Sequence, residues 1–151
     1  MALTSEKVAH SVLVGGGQTA LHSHAGGGGG LVSYYAESPG DDSSNSTSWQ
    51  TKLSLLVEEA GDYLVQWTYE LRGSSTTYHR RSRVVHASFG ETELANAQME
   101  PRDNAPVEWM ACSGFRKVTL AVNDTIRIDY CSENATGTAY IRYAAICIIK
   151  L

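Results

Sequence analysis

Between Lys7 and Glu37 the sequence has no Lys, Arg, Asp or Glu, its longest stretch without formal charge in 151 residues. Eight of its fourteen glycines crowd into the middle of that stretch, between Gly15 and Gly30. A segment so poor in apolar bulk cannot build a core of its own. Residues 1–30 are therefore expected to form an extended arm, reaching roughly 100 Å if fully drawn out. Such an arm is disordered by itself and gains order only against identical chains, a metal ion or another protein. A basic excess is also missing. The net charge is −4, which gives no electrostatic reason to expect nucleic acid, whose backbone calls for a basic face. Arg80, Arg81 and Arg83 are the tight basic cluster, and their strand-like setting beside Tyr78 and His79 reads as a solvated strand face.

Other absences narrow the class further. No run approaches the ~20 apolar residues of a membrane-spanning helix. Lys7 is followed by no continuous apolar core of the kind a secretory leader has, so synthesis in the cytoplasm is expected. Cys112, Cys131 and Cys147 are odd in number and far apart in sequence; they read as free, mostly buried thiols and not as a disulfide framework or a zinc knuckle. No nucleophile elbow, metalloprotease helix or phosphate-cradling glycine loop is legible. Glu58-Glu59 and Asp41-Asp42 are adjacent pairs, hence on opposite faces of a strand or solvated in a loop. The expectation is a protein that is not an enzyme.

What the arm does contain is Leu21-His22-Ser23-His24-Ala25, set between two runs of glycine. On an extended backbone His22 and His24 project to the same side. Two imidazoles cannot close a coordination sphere, so further ligands must come from elsewhere. Three parallel copies around a three-fold axis would supply six nitrogens, a set suited to Fe, Ni or Zn, and glycine lets three backbones approach that axis. With its lead-in Val12-Leu13-Val14 and the sequence Gly-Gly-Gly-Gln-Thr-Ala-Leu-His-Ser-His-Ala-Gly-Gly, this segment resembles the His-x-His metal motifs of trimeric bacteriophage fibres. That resemblance implies a transition-metal ion on the three-fold axis, held by His22 and His24. A second reading starts from Gly16 to His24, which fit the Gly-x5-His-x-His opening of a cupin, a metal-dependent enzyme. A cupin needs a Glu shortly afterwards, but glycines follow and the next acid is Glu37.

From Leu31 onward the pattern changes to short alternating runs separated by turn residues, the signature of an all-β domain spanning residues 31–151. Tyr63, Val65, Trp67, Tyr69 and Leu71 alternate with Leu64, Gln66, Thr68 and Glu70. About eight strands are expected, near 31–36, 47–58, 62–72, 78–89, 91–99, 107–120, 124–132 and 138–150, which suits an antiparallel jelly-roll sandwich. In the last strand Tyr140, Ile146 and Ile148 share one face by period two, and Ile141, Tyr143, Cys147 and Ile149 share the other. Both faces are apolar, which points to a second covering layer or a subunit interface. Tyr140, Ile146 and Ile148 are the expected trimer-interface residues.

The runs Ala60-Gly-Asp-Tyr-Leu-Val and Val118-Thr-Leu-Ala-Val-Asn-Asp-Thr-Ile-Arg-Ile, with an apolar final strand, resemble the trimeric jelly rolls of the tumour-necrosis-factor and complement type. The two resemblances together imply a homotrimeric virion protein, either a capsid decoration or a short fibre. Its arm would attach to other capsid or tail proteins, and its head would be displayed outward, where it can meet a host-surface glycan. Loops 38–48, 73–77 and 101–106 would carry such a site. Trp49, Trp67 and Trp109 all lie in strand-like runs, where a tryptophan either packs in the core or stacks on a sugar. Trp49 and Trp109 are the glycan candidates.

Overall fold

The structure is a computed structural model that describes residues 32–74, 77–88, 90–99 and 108–151. The arm, with His22 and His24, lies outside the described residues. So do all of loop 101–106 and part of loop 73–77. Among the described residues every regular element is a strand: β1 (Ser33–Ser38), β2 (Asp42–Ser44), β3 (Gln50–Leu56), β4 (Gly61–Gly73), β5 (Arg80–Ala87), β6 (Glu91–Met99), β7 (Met110–Leu120), β8 (Thr125–Ser132) and β9 (Ala139–Lys150). No helix is long and apolar enough to cross a membrane among these residues.

The strands form two antiparallel sheets. The first has the order β1-β9-β4-β7, with β2 also paired to β9, and the second has the order β3-β8-β5-β6. The chain crosses repeatedly between them, giving a jelly-roll sandwich. The core is built as the alternation predicts. Tyr63, Val65, Trp67, Tyr69 and Leu71 of β4 all point inward and are at most 8% exposed, facing Val84, Ile126, Ile128 and Tyr130 of the second sheet. Each such side chain stabilises the fold by about 1.5–3 kcal/mol on burial. The phenol of Tyr69 reaches across the sandwich to Ser82 Oγ at 2.9 Å, which satisfies its polar end inside the core. Burial pushes that phenol's pKa well above its ordinary value.

One irregularity redirects the last strand. Thr68 pairs with Ala145 but Glu70 pairs with Arg142, so Tyr143 and Ala144 together oppose Tyr69. This is a β-bulge, and Tyr143 within it has φ 49°, in the left-handed region. One extra residue reverses the side-chain parity of everything after it. Before the bulge Ala139 and Ile141 are buried; after it Ala144, Ile146 and Ile148 are. The expected common face of Tyr140, Ile146 and Ile148 is therefore corrected. Ile146 and Ile148 are 0% exposed in the core of a single chain and have no surface to offer a neighbour, whereas Tyr140 lies on the outer face. The outward residues beyond the bulge are Ala145, Cys147 and Ile149.

Two further expectations change. The chain has nine strands among the described residues, because Asp42–Ser44, three polar residues without periodicity, pairs with Ile141, Tyr140 and Ala139. Arg80 is not on a solvated face. It is 1% exposed and donates to the carbonyls of Thr138 at 3.0 Å, His79 at 3.0 Å and Tyr78. A Cβ on Gly73 would lie 2.3 Å from its Nε, so glycine is required there to make room for it. All three cysteines are free, with Cys131 buried and the other two half-buried.

The placement of Ile146 is directly testable. Ile146→Ala should lower the free energy of unfolding by about 2–5 kcal/mol in urea titrations and leave the number of chains in the particle unchanged. A loss of assembly with an unaltered urea midpoint would return Ile146 to an interface.

Candidate functional site

The outer face of the first sheet is set by register. Gln66 of β4 stands between Phe115 of β7 and Cys147 of β9, and Cys147 in turn pairs with Tyr35 of β1. Tyr35 and Phe115 thus stand on either side of one row, 61% and 73% exposed. Between them lies a shallow depression of about 480 Å³, lined also by Thr68, Ser113, Ala145 and the backbone at Gly114. The floor is low because its side chains are small. At Gly114 a Cβ would lie 2.6 Å from the Trp67 ring, so this position excludes any larger residue. Tyr35 Oη donates to Glu37 Oε2 at 2.6 Å, which raises the phenol's pKa and fixes the ring at the rim.

Further along the same face, charge replaces small residues. Tyr140, Arg72 and Trp109 lie side by side on β9, on β4 and just ahead of β7. Arg72 pairs with Tyr140, and Trp109 precedes Met110, the partner of Leu71. The Arg72 guanidinium is 4.5 Å from the Tyr140 ring and 4.7 Å from the Trp109 ring. Arg142 lies 4.0 Å from Trp109 and 4.7 Å from Tyr143, and its Nε donates to Glu70 at 2.7 Å. Trp109 is therefore brought into a site, but as a surface on which arginines stack, with Arg72 and Arg142 the residues that sequence reading missed.

The outer face of the second sheet carries a paired network. Asp129, 1% exposed, accepts from Arg83 Nη2 at 2.9 Å and from Thr51 at 2.9 Å. Arg127 and Arg83 both reach Glu91, and hydrogen bonds from Arg127 and then Arg83 hold that carboxyl below its ordinary range. Trp49, the other glycan candidate, lies 4.6 Å from Arg83 and 5.6 Å from Arg81, so it too is covered by guanidinium groups. His86 Nε2 meets Asp124 Oδ2 at 2.6 Å at the end of the sandwich. Burial raises the pKa of Asp124, but the Ala121 amide and His86 outweigh it and hold the carboxyl low. His79 and Glu133 form a second such pair at 2.8 Å, and the His79 amide and ring lower Glu133. Asp42 and Glu59 are spent on Lys52 and Lys150. Among the described residues no three His, Cys, Asp or Glu side chains converge to hold a metal ion.

No protein-family model and no curated protein matches this sequence. Among solved structures, the Eiger TNF from S. frugiperda is similar, with a TM-score of 0.51 and 15% identity over 65% of this chain and 64% of that one. The match thus spans less than two thirds of that chain. The shared property is the fold: the described head is a jelly-roll sandwich of the tumour-necrosis-factor type.

The depressed carboxyls set a pH dependence. Glu91, Asp124 and Glu133 bind protons less readily when folded than when unfolded, so their contribution is complete above their ordinary pKa values and is lost as pH falls through the lowered ones. The melting temperature should fall steeply as pH drops below about 4, with a shallower fall in Asp124→Asn. A melting temperature that rises on acidification would contradict these pairings.

Proposed function

We propose that this chain is a structural bacteriophage virion protein, a homotrimeric capsid decoration or short fibre with an anchoring arm and an outward-facing head. The observation that carries the reading is the apolar face around Tyr35 and Phe115. Large exposed aromatic side chains flanking a small-residue depression are a liability on a free monomer and mark a contact surface. Three such faces turned toward one axis give a closed arrangement in which each chain covers its neighbour's aromatic rings. The arm supports the same symmetry independently. His22 and His24 of three chains would provide six neutral imidazoles to a Fe, Ni or Zn ion on the axis, in the manner of the phage fibre segments the arm resembles. The arm would attach to capsid or tail proteins, and the loop end of the head would meet the host surface.

Light scattering after gel filtration should give three times the chain mass for the full chain, and one chain mass for Phe115→Asp, with the head still folded by circular dichroism. A monomer at micromolar concentration would overturn the trimeric reading. Elemental analysis should find one ion per three chains, largely lost in His22→Ala and at about pH 5, where imidazole takes up a proton and ceases to coordinate. Metal retained in His22→Ala at the original stoichiometry would remove His22 from the site.

A further inference from the structure

We infer that the stacked row Tyr140, Arg72 and Trp109 is the anchor of a binding site for carboxylated sugars, in which Arg72 takes the carboxylate and the neighbouring Tyr143 carries the sugar ring. The inference rests on the adhesive part of the reading above and supplies its ligand class.

Four observations converge. The first is an arginine with its faces occupied and its charge unspent. Arg72 lies between two rings, at 4.5 Å and 4.7 Å, yet among the described residues it has no hydrogen bond and no ion pair, and its Nε is buried without a partner. Stacking on both faces removes rotamer freedom and leaves the outer edge of the fork free, so the group is preorganised for an in-plane ligand. Its neighbour Arg142 shows the contrast, because it stacks on the same tryptophan but is neutralised by Glu70 at 2.7 Å.

The second is the charge of the site. Arg72 and Arg142 contribute two positive charges and Glu70 one negative, leaving a single positive charge for the ligand to match. A flat guanidinium fork with one unspent charge matches a monoanionic planar carboxylate better than a tetrahedral phosphate dianion. The third is an open aromatic surface beside it. Tyr143 is 54% exposed, and its left-handed backbone at φ 49° holds the ring next to Arg142. A non-glycine residue in that region costs free energy that the fold must offset, and such positions concentrate at ligand sites. An exposed phenol ring of this kind suits the C–H face of a pyranose. The fourth is location. Arg72 is one residue from the end of β4, Trp109 directly precedes β7, and Tyr140 is the second residue of β9. The row therefore lies at the loop end of the sandwich, six residues along β4 from the Gln66 row between Tyr35 and Phe115, or roughly 20 Å at strand spacing.

The test uses the full chain, assembled as purified. Isothermal titration would compare 3′-sialyllactose and tri-galacturonic acid with the uncharged lactose and maltotriose, and with sodium acetate and inorganic phosphate. The acidic sugars should bind with Kd of about 0.1–1 mM and weaken with added salt. Arg72→Gln should lose at least about ten-fold in affinity, and Arg72→Lys nearly as much, because a point charge does not reproduce the fork. Tyr143→Ala should weaken the sugars but not acetate, and it keeps the test decisive if the Arg72 variants fold poorly. Neutral sugars or phosphate binding as tightly as the acidic sugars would overturn the proposal. So would acetate binding as tightly as the acidic sugars, affinity unchanged in Arg72→Gln, or no heat with any acidic sugar at about 10 mM. The chain mass measured on the same samples reports separately on assembly, so a failure to bind sugar is distinguishable from a failure to form trimers.

Discussion

A β-sheet has only two faces, and the pairing of β4 with β7 on one side and β9 on the other decides which residues of all three strands meet the core. Both outward surfaces of the first sheet depend on that register. The inward row of β4 fixes the sandwich, and its outward row, Gln66, Thr68, Glu70 and Arg72, becomes the central column of the exposed face. Because β9 carries a bulge opposite Tyr69, its outward residues change parity partway. Tyr140 and Arg142 stand outward on one side of the bulge, and Ala145 and Cys147 on the other. The bulge thus joins two unlike surfaces on one strand: a stack of arginines and aromatic rings near the loops, and a low apolar depression further along.

The division of that face follows from side-chain size and charge. Where β4 offers Gln66 and Thr68, its neighbours are Ser113, Ala145 and Cys147, so the surface is low and Tyr35 and Phe115 stand above it. Where β4 offers Glu70 and Arg72, Arg142, Tyr140 and Trp109 stand beside them, with only Ala111 small, and the surface is tall and charged. Several guanidinium groups elsewhere are spent inside the molecule. Arg83 and Arg127 are held by Asp129 and Glu91, and Arg80 is held by carbonyls. Arg72 is held between two rings, where Arg81 meets only the Trp49 ring, and this stacking restrains the side chain without neutralising it.

Much of this was legible in sequence, and what was not has specific causes. The strict alternation of Tyr63, Val65, Trp67, Tyr69 and Leu71 marked β4 and its buried face, and β6 falls at Glu91–Met99 as expected. The correspondence ends where counting by twos ends. A bulge leaves no compositional trace, so Tyr140 was placed with Ile146 and Ile148. The alternation of Arg80 and Ser82 with Val84 carried the signal that Arg80 points inward, but a basic cluster reads as surface when its members are taken together. Trp109 was recognisable as a candidate, whereas its arginines were not, because Arg72, Trp109 and Arg142 are distant in sequence and only the register brings them together. The same holds for Tyr35 and Phe115. The arm, whose histidines carried the first hypothesis, lies outside the described residues.

The proposed assembly depends on burial of the Tyr35 and Phe115 face between chains, and hydroxyl-radical footprinting of the full chain reads it directly. In a single chain Tyr35 and Phe115 are 61% and 73% exposed, more than Leu56 at 51% and Val122 at 52%, which lie away from that face. After correction for intrinsic side-chain reactivity, assembly through this face predicts strong protection of Tyr35 and Phe115, with Leu56 and Val122 modified freely. Modification of Tyr35 and Phe115 at least as fast as Leu56 and Val122 would contradict it.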